Sequence, residues 1–452
     1  MRIPRSAALA TVLAVALALP MTSIAHAASV SPRASHGSDY APKVTHTGRG
    51  PTGYEVTFRF KDPTATSVQI KGEWYFANTS DISAPASTAT SVVTTPGLLP
   101  SQWTPGDFPI ASPNATAANW PVISMTKGKD GVWSYTTPLP SGVFTYGFYV
   151  NCASPTQSGC TEISDPSNPP WNTSGSVEPT SQVYVPSDPR FGTVDYSWEA
   201  PNPDHGKLVD ITYSSPGHVT PAGANYAAVY TPPGYNSKRA QAYPTLYLNH
   251  GGGGNEVDWS TQGDLGNIMD NLIDTGQIQP MVVVMPNANG YPSSANNAAF
   301  DSDLIGNLIP YVQSHYNVST SASERAFSGL SMGGTIANSL MLNDAAEFGY
   351  YGVMSAGLPC ATTGCTSVTL TSAQANALKN AGIFVGGGWQ DPVHAAGYMG
   401  SDTGTIQEVT ALVNAGLPVT PDFINGGHEW YVWRILLKDF LTRVAFFPAV
   451  AG

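Results

Sequence analysis

Gly329-Leu330-Ser331-Met332-Gly333 places a serine between small residues, where a strand can turn sharply into a helix. Such a turn is a nucleophile elbow: it holds the hydroxyl clear of its own backbone and lets neighbouring chain crowd in. Glu324–Ser328 upstream suits a short buried strand, and Thr335–Leu342 downstream can continue as a helix. In a chain of 45 glycines the same spacing also arises as an ordinary Gly-rich turn, so the partners of Ser331 decide its meaning.

A serine becomes nucleophilic when a histidine takes its proton and an acid orients that histidine. Of nine histidines, only His394 and His428 follow Ser331. His428 sits in Asn425-Gly426-Gly427-His428-Glu429-Trp430, just past the strand-like Val419–Ile424. His394 lies three residues after Asp391 and reads as part of the acid loop. Asp391 itself follows Ile383-Phe384-Val385-Gly386 and the turn Gly387–Gln390, while Asp402, Asp422 and Glu429 stand as alternative acids. Ser, then Asp, then His, each past a strand end, is the chain order of an α/β-hydrolase triad.

Negative charge that develops on a substrate oxygen needs preorganised donors. Tyr243–Leu248 reads as a strand that runs into His250-Gly251-Gly252-Gly253-Gly254. The amides of Gly252 and of Met332, next to the nucleophile, are the expected oxyanion donors. His250 reads as a structural loop residue. No histidine or cysteine cluster has metal-ligand spacing, and no cofactor is implied.

Several segments together resemble carbohydrate esterase family 1, the feruloyl and acetylxylan esterases, whose relatives include enterochelin-type esterases, S-formylglutathione hydrolases and mycolyltransferases. They are Val229–Tyr235, Tyr247–Gly254, Asp258-Trp259, Pro280–Asn287, Asp303–Ile305 with Ile309–Tyr311, Arg325–Gly334, and Gly426–Trp430 with Trp433-Arg434. The resemblance spans about Val209 to Phe447. It implies an α/β-hydrolase sheet with helices on both faces over 209–452, and a serine esterase acting through Ser331, His428 and Asp391. Trp259, Trp389 and Trp430, in or beside the matching loops, are the candidate substrate contacts.

Residues 45–185 have another texture. Tyr54–Phe60, Ser67–Gly72, Gly131–Thr136 and Val143–Val150 alternate with period two between Pro and Gly turns, the pattern of a small all-β sandwich. They resemble the immunoglobulin-like early-set domains related to family-48 carbohydrate-binding modules. Trp74, Tyr75, Trp103, Trp120 and Trp133 are then either sugar platforms or core. Asn78–Asn119 reads as a long loop, and residues 186–208 as a connector that drapes over the second domain.

The start fits an export signal over 1–27: Arg2 and Arg5, an apolar Ala7–Leu19, and Ala25-His26-Ala27. Residues 28–44 read as a disordered leader. Four cysteines in an exported chain suggest disulfides, with Cys152/Cys160 and Cys360/Cys365 the local pairs among three connectivities. A net charge of −12 with 11% charged residues argues against nucleic acid and anionic membranes, and suits a neutral polysaccharide or soluble ester. The expectation is an extracellular esterase acting on feruloyl or acetyl groups of plant polysaccharide. A siderophore-lactone esterase, an acyltransferase and a non-catalytic sugar-binding protein are the alternatives.

Overall fold

The computed structural model describes residues 39–78, 97–110, 120–172, 180–292, 296–360, 362–394, 396 and 402–447. The expected export signal, leader residues 28–38 and much of the 78–119 loop lie outside them. The described part of that loop is not featureless: Phe108–Ile110 (β5) pairs with Tyr75–Ala77 (β4). Leader residues 43 and 44 likewise belong to a strand, β1 (Lys43–His46).

The N-terminal strands form two antiparallel sheets. One has the order β1, β2 (Tyr54–Lys61), β8 (Val132–Pro138), β7 (Thr126–Lys127). The other has the order β10 (Ser181–Val185), β9 (Gly142–Val150), β3 (Val68–Gly72), β6 (Ile123–Ser124). Alternation does the work expected of it: Val56, Phe58 and Phe60 point inward from β2 and meet Val68 and Ile70 of β3. Trp74 lies against Gly72 so closely that a Cβ there would come within 2.3 Å of the indole. The question of platforms or core resolves towards core. Trp74, Trp103, Tyr75 and Trp133 are all buried, and Trp120 packs edge-on to Tyr149.

The second domain is built on an eight-stranded sheet of order β11 (Lys207–Val219), β12 (Ala222–Thr231), β14 (Val282–Pro286), β13 (Thr245–Asn249), β15 (Arg325–Leu330), β16 (Tyr350–Met354), β17 (Gly382–Gly388), β18 (Val419–Ile424). The last six are parallel, and β11 and β12 are antiparallel additions at one edge. Both faces are covered, so the central strands are apolar at consecutive positions. Tyr247, Val284, Phe327, Val353 and Val385 face one layer, where α3 (Asn296–Asp303), α4 (Ile309–His315), α5 (Met332–Asn343), α6 (Ser372–Leu378) and α7 (Thr405–Asn414) lie. Leu246, Val283, Ala326, Met354 and Phe384 face the other, with α1 (Asp258–Thr261), α2 (Leu265–Asp274) and α8 (Trp430–Arg443).

The two domains are fastened through buried polar groups. Arg434 of α8 donates from Nε to Glu199 at 2.9 Å, from Nη1 to the Gln262 carbonyl at 2.9 Å and from Nη2 to the Val143 carbonyl at 2.8 Å. Glu199, on the connector, also accepts the Val143 N–H at 2.9 Å. Asn271 donates to the Trp198 and Ala200 carbonyls, and Tyr196 meets Tyr431 at 3.1 Å, so these connector residues lie along the second domain. Disulfides join Cys152 to Cys160 and Cys360 to Cys365.

Candidate active site

Ser331 follows β15 directly and has φ +51°, ψ −112°, a sparsely populated conformation for a residue with a side chain. The motif glycines allow it. A Cβ on Gly329 would lie 2.7 Å from the Gly333 backbone, and one on Gly333 would lie 2.7 Å from the His250 carbonyl oxygen. Strand, helix and the β13 loop therefore meet backbone to backbone around the serine. The Ser331 N–H is held by the Met354 carbonyl at 2.8 Å, and Thr335 N–H closes the first helical bond onto Ser331 O. Met332, as the first residue of α5, has an N–H without an intrahelical acceptor at the positive end of the helix.

Asp391 and His428 meet beyond the ends of β17 and β18. His428 Nδ1 lies 3.1 Å and 3.0 Å from the two Asp391 oxygens. Asp391 is fully buried, and burial alone would raise its carboxyl. The His428 charge and hydrogen bond, the Val393 N–H and the Ser355 hydroxyl outweigh that and hold it below its ordinary value. A carboxylate that only accepts fixes the proton on Nδ1 and leaves Nε2 with a lone pair able to accept one.

The other acids are engaged elsewhere. Asp422 pairs with Arg443 at 2.8 Å, Asp402 accepts the Cys360 N–H, and Glu429 accepts the Gly427 N–H. His394 faces the Gly388 carbonyl at 2.6 Å, inside the acid loop.

Ser355 and Trp433 carry roles that the sequence reading did not assign. The Trp433 indole N–H donates to Ser355 Oγ at 3.0 Å, and its ring meets the His428 ring edge-on at 4.9 Å. Ser355 sits at the end of β16 with φ +52°. Together they fix the acid from below and the imidazole from the side. Trp433-Arg434 stood among the family-like segments, but nothing local marked Ser355.

Gly251–Gly254 follow β13 and line the same cleft as Ser331 and His428, a space of about 290 Å³ at the small end of ligand pockets (~300–1,000 Å³). His250 is buried behind them. Its Nδ1 faces the Gly251 carbonyl at 2.7 Å and its Nε2 accepts the Ala288 N–H at 3.0 Å. Desolvation lowers it to about 4, so it is a neutral brace. A Cβ on Gly252 would meet nothing within 4 Å, so the cleft is open on that side of the loop.

The three tryptophans fare differently. Trp430 lines the cleft. Trp389 is 46% exposed, packs on Phe423 and is not among the lining residues. Trp259 does not reach the cleft: it is 1% exposed, donates to the Asn249 carbonyl at 2.9 Å and braces Trp430 edge-on. Its burial turns the expected contact into a support. The sandwich contributes Glu73, Pro109, Val143 and Phe144 to the wall.

Residues 223–444 match the family model described as a putative esterase. The chain is 30% identical over 326 residues to an endo-1,4-beta-xylanase/feruloyl esterase of Xylanibacter ruminicola, covering 70% of this chain and 40% of that protein. It thus spans about two fifths of that relative's length. The feruloyl esterase module of Clostridium thermocellum, solved with sinapinate, is 25% identical, with TM-score 0.47 over 57% of this chain and 94% of that one. The enterobactin esterase of Shigella flexneri shares the fold across both domains, with 16% identity and TM-score 0.50 over 89% of this chain and 95% of that one. Residues 223–444 are thus similar to putative esterases, and the architecture, an eight-stranded sheet with helices on both faces behind a small all-β domain, is that of an α/β-hydrolase fold.

Proposed function

We propose that the protein is an extracellular serine esterase that removes feruloyl or acetyl groups from plant polysaccharide through a covalent acyl-enzyme. The observation that carries the mechanism is the Asp391–His428 pair opening into the cleft that holds the strained Ser331. His428 Nε2 takes the Ser331 proton as Oγ attacks the ester carbonyl. The oxyanion is met by the Gly252 and Met332 amides. Collapse expels the alcohol, which receives the proton from His428. Water then attacks the acyl-enzyme by the same route and releases the acid. The xylanase/feruloyl esterase relative supports xylan-linked aromatic esters as the substrate class.

The test is turnover of methyl hydroxycinnamates, acetylated xylan and nitrophenyl acetate by the wild type and Ser331→Ala. A serine-directed phosphonate should label Ser331, and activity should survive EDTA. Labelling at another residue would refute the mechanism. A lack of preference for hydroxycinnamates and acetylated xylan would refute the substrate.

A further inference from the structure

The cleft is unevenly charged. Its ionisable lining groups are Glu73, Asp258, His428, Glu429, Tyr431 and Arg434. Among the described residues Arg434 is the only Lys or Arg of the lining, and all three of its donor nitrogens are directed at Glu199, Gln262 and Val143. An anionic substrate therefore meets no guanidinium or ammonium that is not already engaged. It meets carboxyl groups from both domains: Glu73 on the sandwich side, Glu429 next to the catalytic histidine. Burial first of all lifts Glu429 to about 8. The Gly427 N–H opposes this, the Glu73 and Asp391 carboxylates reinforce it, and Arg434 opposes it. Glu429 is thus held towards its neutral form, which can donate a hydrogen bond. Phe144 and Trp430 supply apolar surface in the same space.

We propose that Glu73, reaching from the β-sandwich into the cleft that holds Ser331, is a specificity-determining residue that repels anionic esters and favours neutral, hydroxyl-bearing ones such as sugar esters. A carboxylate and a carboxylic acid facing one space accept from and donate to ring hydroxyls, while Phe144 and Trp430 take the C–H face of a ring. This rests on the esterase reading and adds a charge filter contributed by the other domain.

The experiment compares kcat/KM for three phenyl acetates with para carboxylate, carboxamide or trimethylammonium groups, on the wild type and Glu73→Gln near neutral pH. Leaving-group electronics cancel in the wild-type-to-variant ratio. Removing one charge at a partly solvated site should raise the anion-to-neutral ratio roughly three- to tenfold and lower the cation-to-neutral ratio similarly. Added salt should narrow the wild-type preference by screening. An active Glu73→Gln enzyme whose ratios move less than about twofold overturns the proposal. If that variant does not fold, salt-independent wild-type ratios overturn it instead. Failure of the esterase reading looks different: no wild-type turnover of any of the three esters, or turnover that Ser331→Ala retains, removes both readings together.

Discussion

Replacing Arg434 by methionine should loosen the whole molecule, because one side chain closes contacts to three segments. The methionine keeps much of the buried volume and removes every donor. Glu199, 3% exposed, then keeps only the Val143 N–H as a partner. Breaking a buried ion pair by removing one member costs about 3–5 kcal/mol, mostly from the stranded charge. Burial already lifts the Glu199 carboxyl even with Arg434 beside it, so the orphaned acid should take up a proton more readily in the variant. A raised folded-state value means stability that is present at acid pH and lost as pH rises through it, so the deficit should shrink towards acid pH. The double variant Arg434→Met/Glu199→Gln should recover roughly 1–2 kcal/mol, since an amide oxygen still accepts the Val143 N–H without a charge. Urea unfolding followed by tryptophan fluorescence, with kcat and KM measured alongside, gives both readouts. KM should suffer more than kcat, because the sandwich wall of the cleft moves while the triad stays. A loss below about 1 kcal/mol, or a double variant no better than the single, would refute the idea that the buried pair fastens the domains.

Further outcomes follow from single contacts. Asp391→Asn should keep the fold and lower kcat on nitrophenyl acetate by about 10³–10⁴, since an amide can hold the wrong imidazole tautomer; near-normal turnover would remove Asp391 from its role. Gly333→Ala sets a Cβ 2.7 Å and 2.8 Å from the carbonyl oxygens of His250 and Asn249, which cannot yield as side chains do. It should cost about 1–3 kcal/mol in urea unfolding and disturb turnover, and a neutral result would contradict the close backbone packing at the elbow. Glu256 is buried, and desolvation lifts it to about 7. Its share of stability is therefore present below about 4.5 and lost as pH rises to about 7, on the order of 3 kcal/mol. Glu256→Gln should flatten the fall in stability between pH 5 and pH 8, and an equally steep fall in the variant would show that Glu256 is not the group responsible.

What the sequence disclosed of the site was the part built from chain-local pattern. Ser331, Asp391, His428 and the glycine run each follow a strand, and strand ends can be read from apolar stretches bounded by turn residues. The local disulfide pairs were legible for the same reason. What stayed hidden depends on pairs far apart in the chain. Ser355 looks like any serine until β16 brings it under Asp391. Glu73 looks like a surface acid of a strand-rich module until docking turns it into the cleft. The aromatics illustrate the opposite limit. Trp259 and the sandwich tryptophans have side chains suited to a sugar ring, yet a large apolar surface is equally suited to a core, and only burial distinguishes the two uses.

The Arg434 junction also sets an order of events during synthesis. Its contact with Val143 spans 291 positions, and α8 is made after every strand of both domains. The sandwich leaves the ribosome first, and its docking face has no guanidinium to receive it until residue 434 emerges. The cleft wall is therefore a late acquisition of the nascent chain. A polypeptide stopped between residue 199 and α8 would carry Glu199 and the Val143 carbonyl without the Arg434 guanidinium.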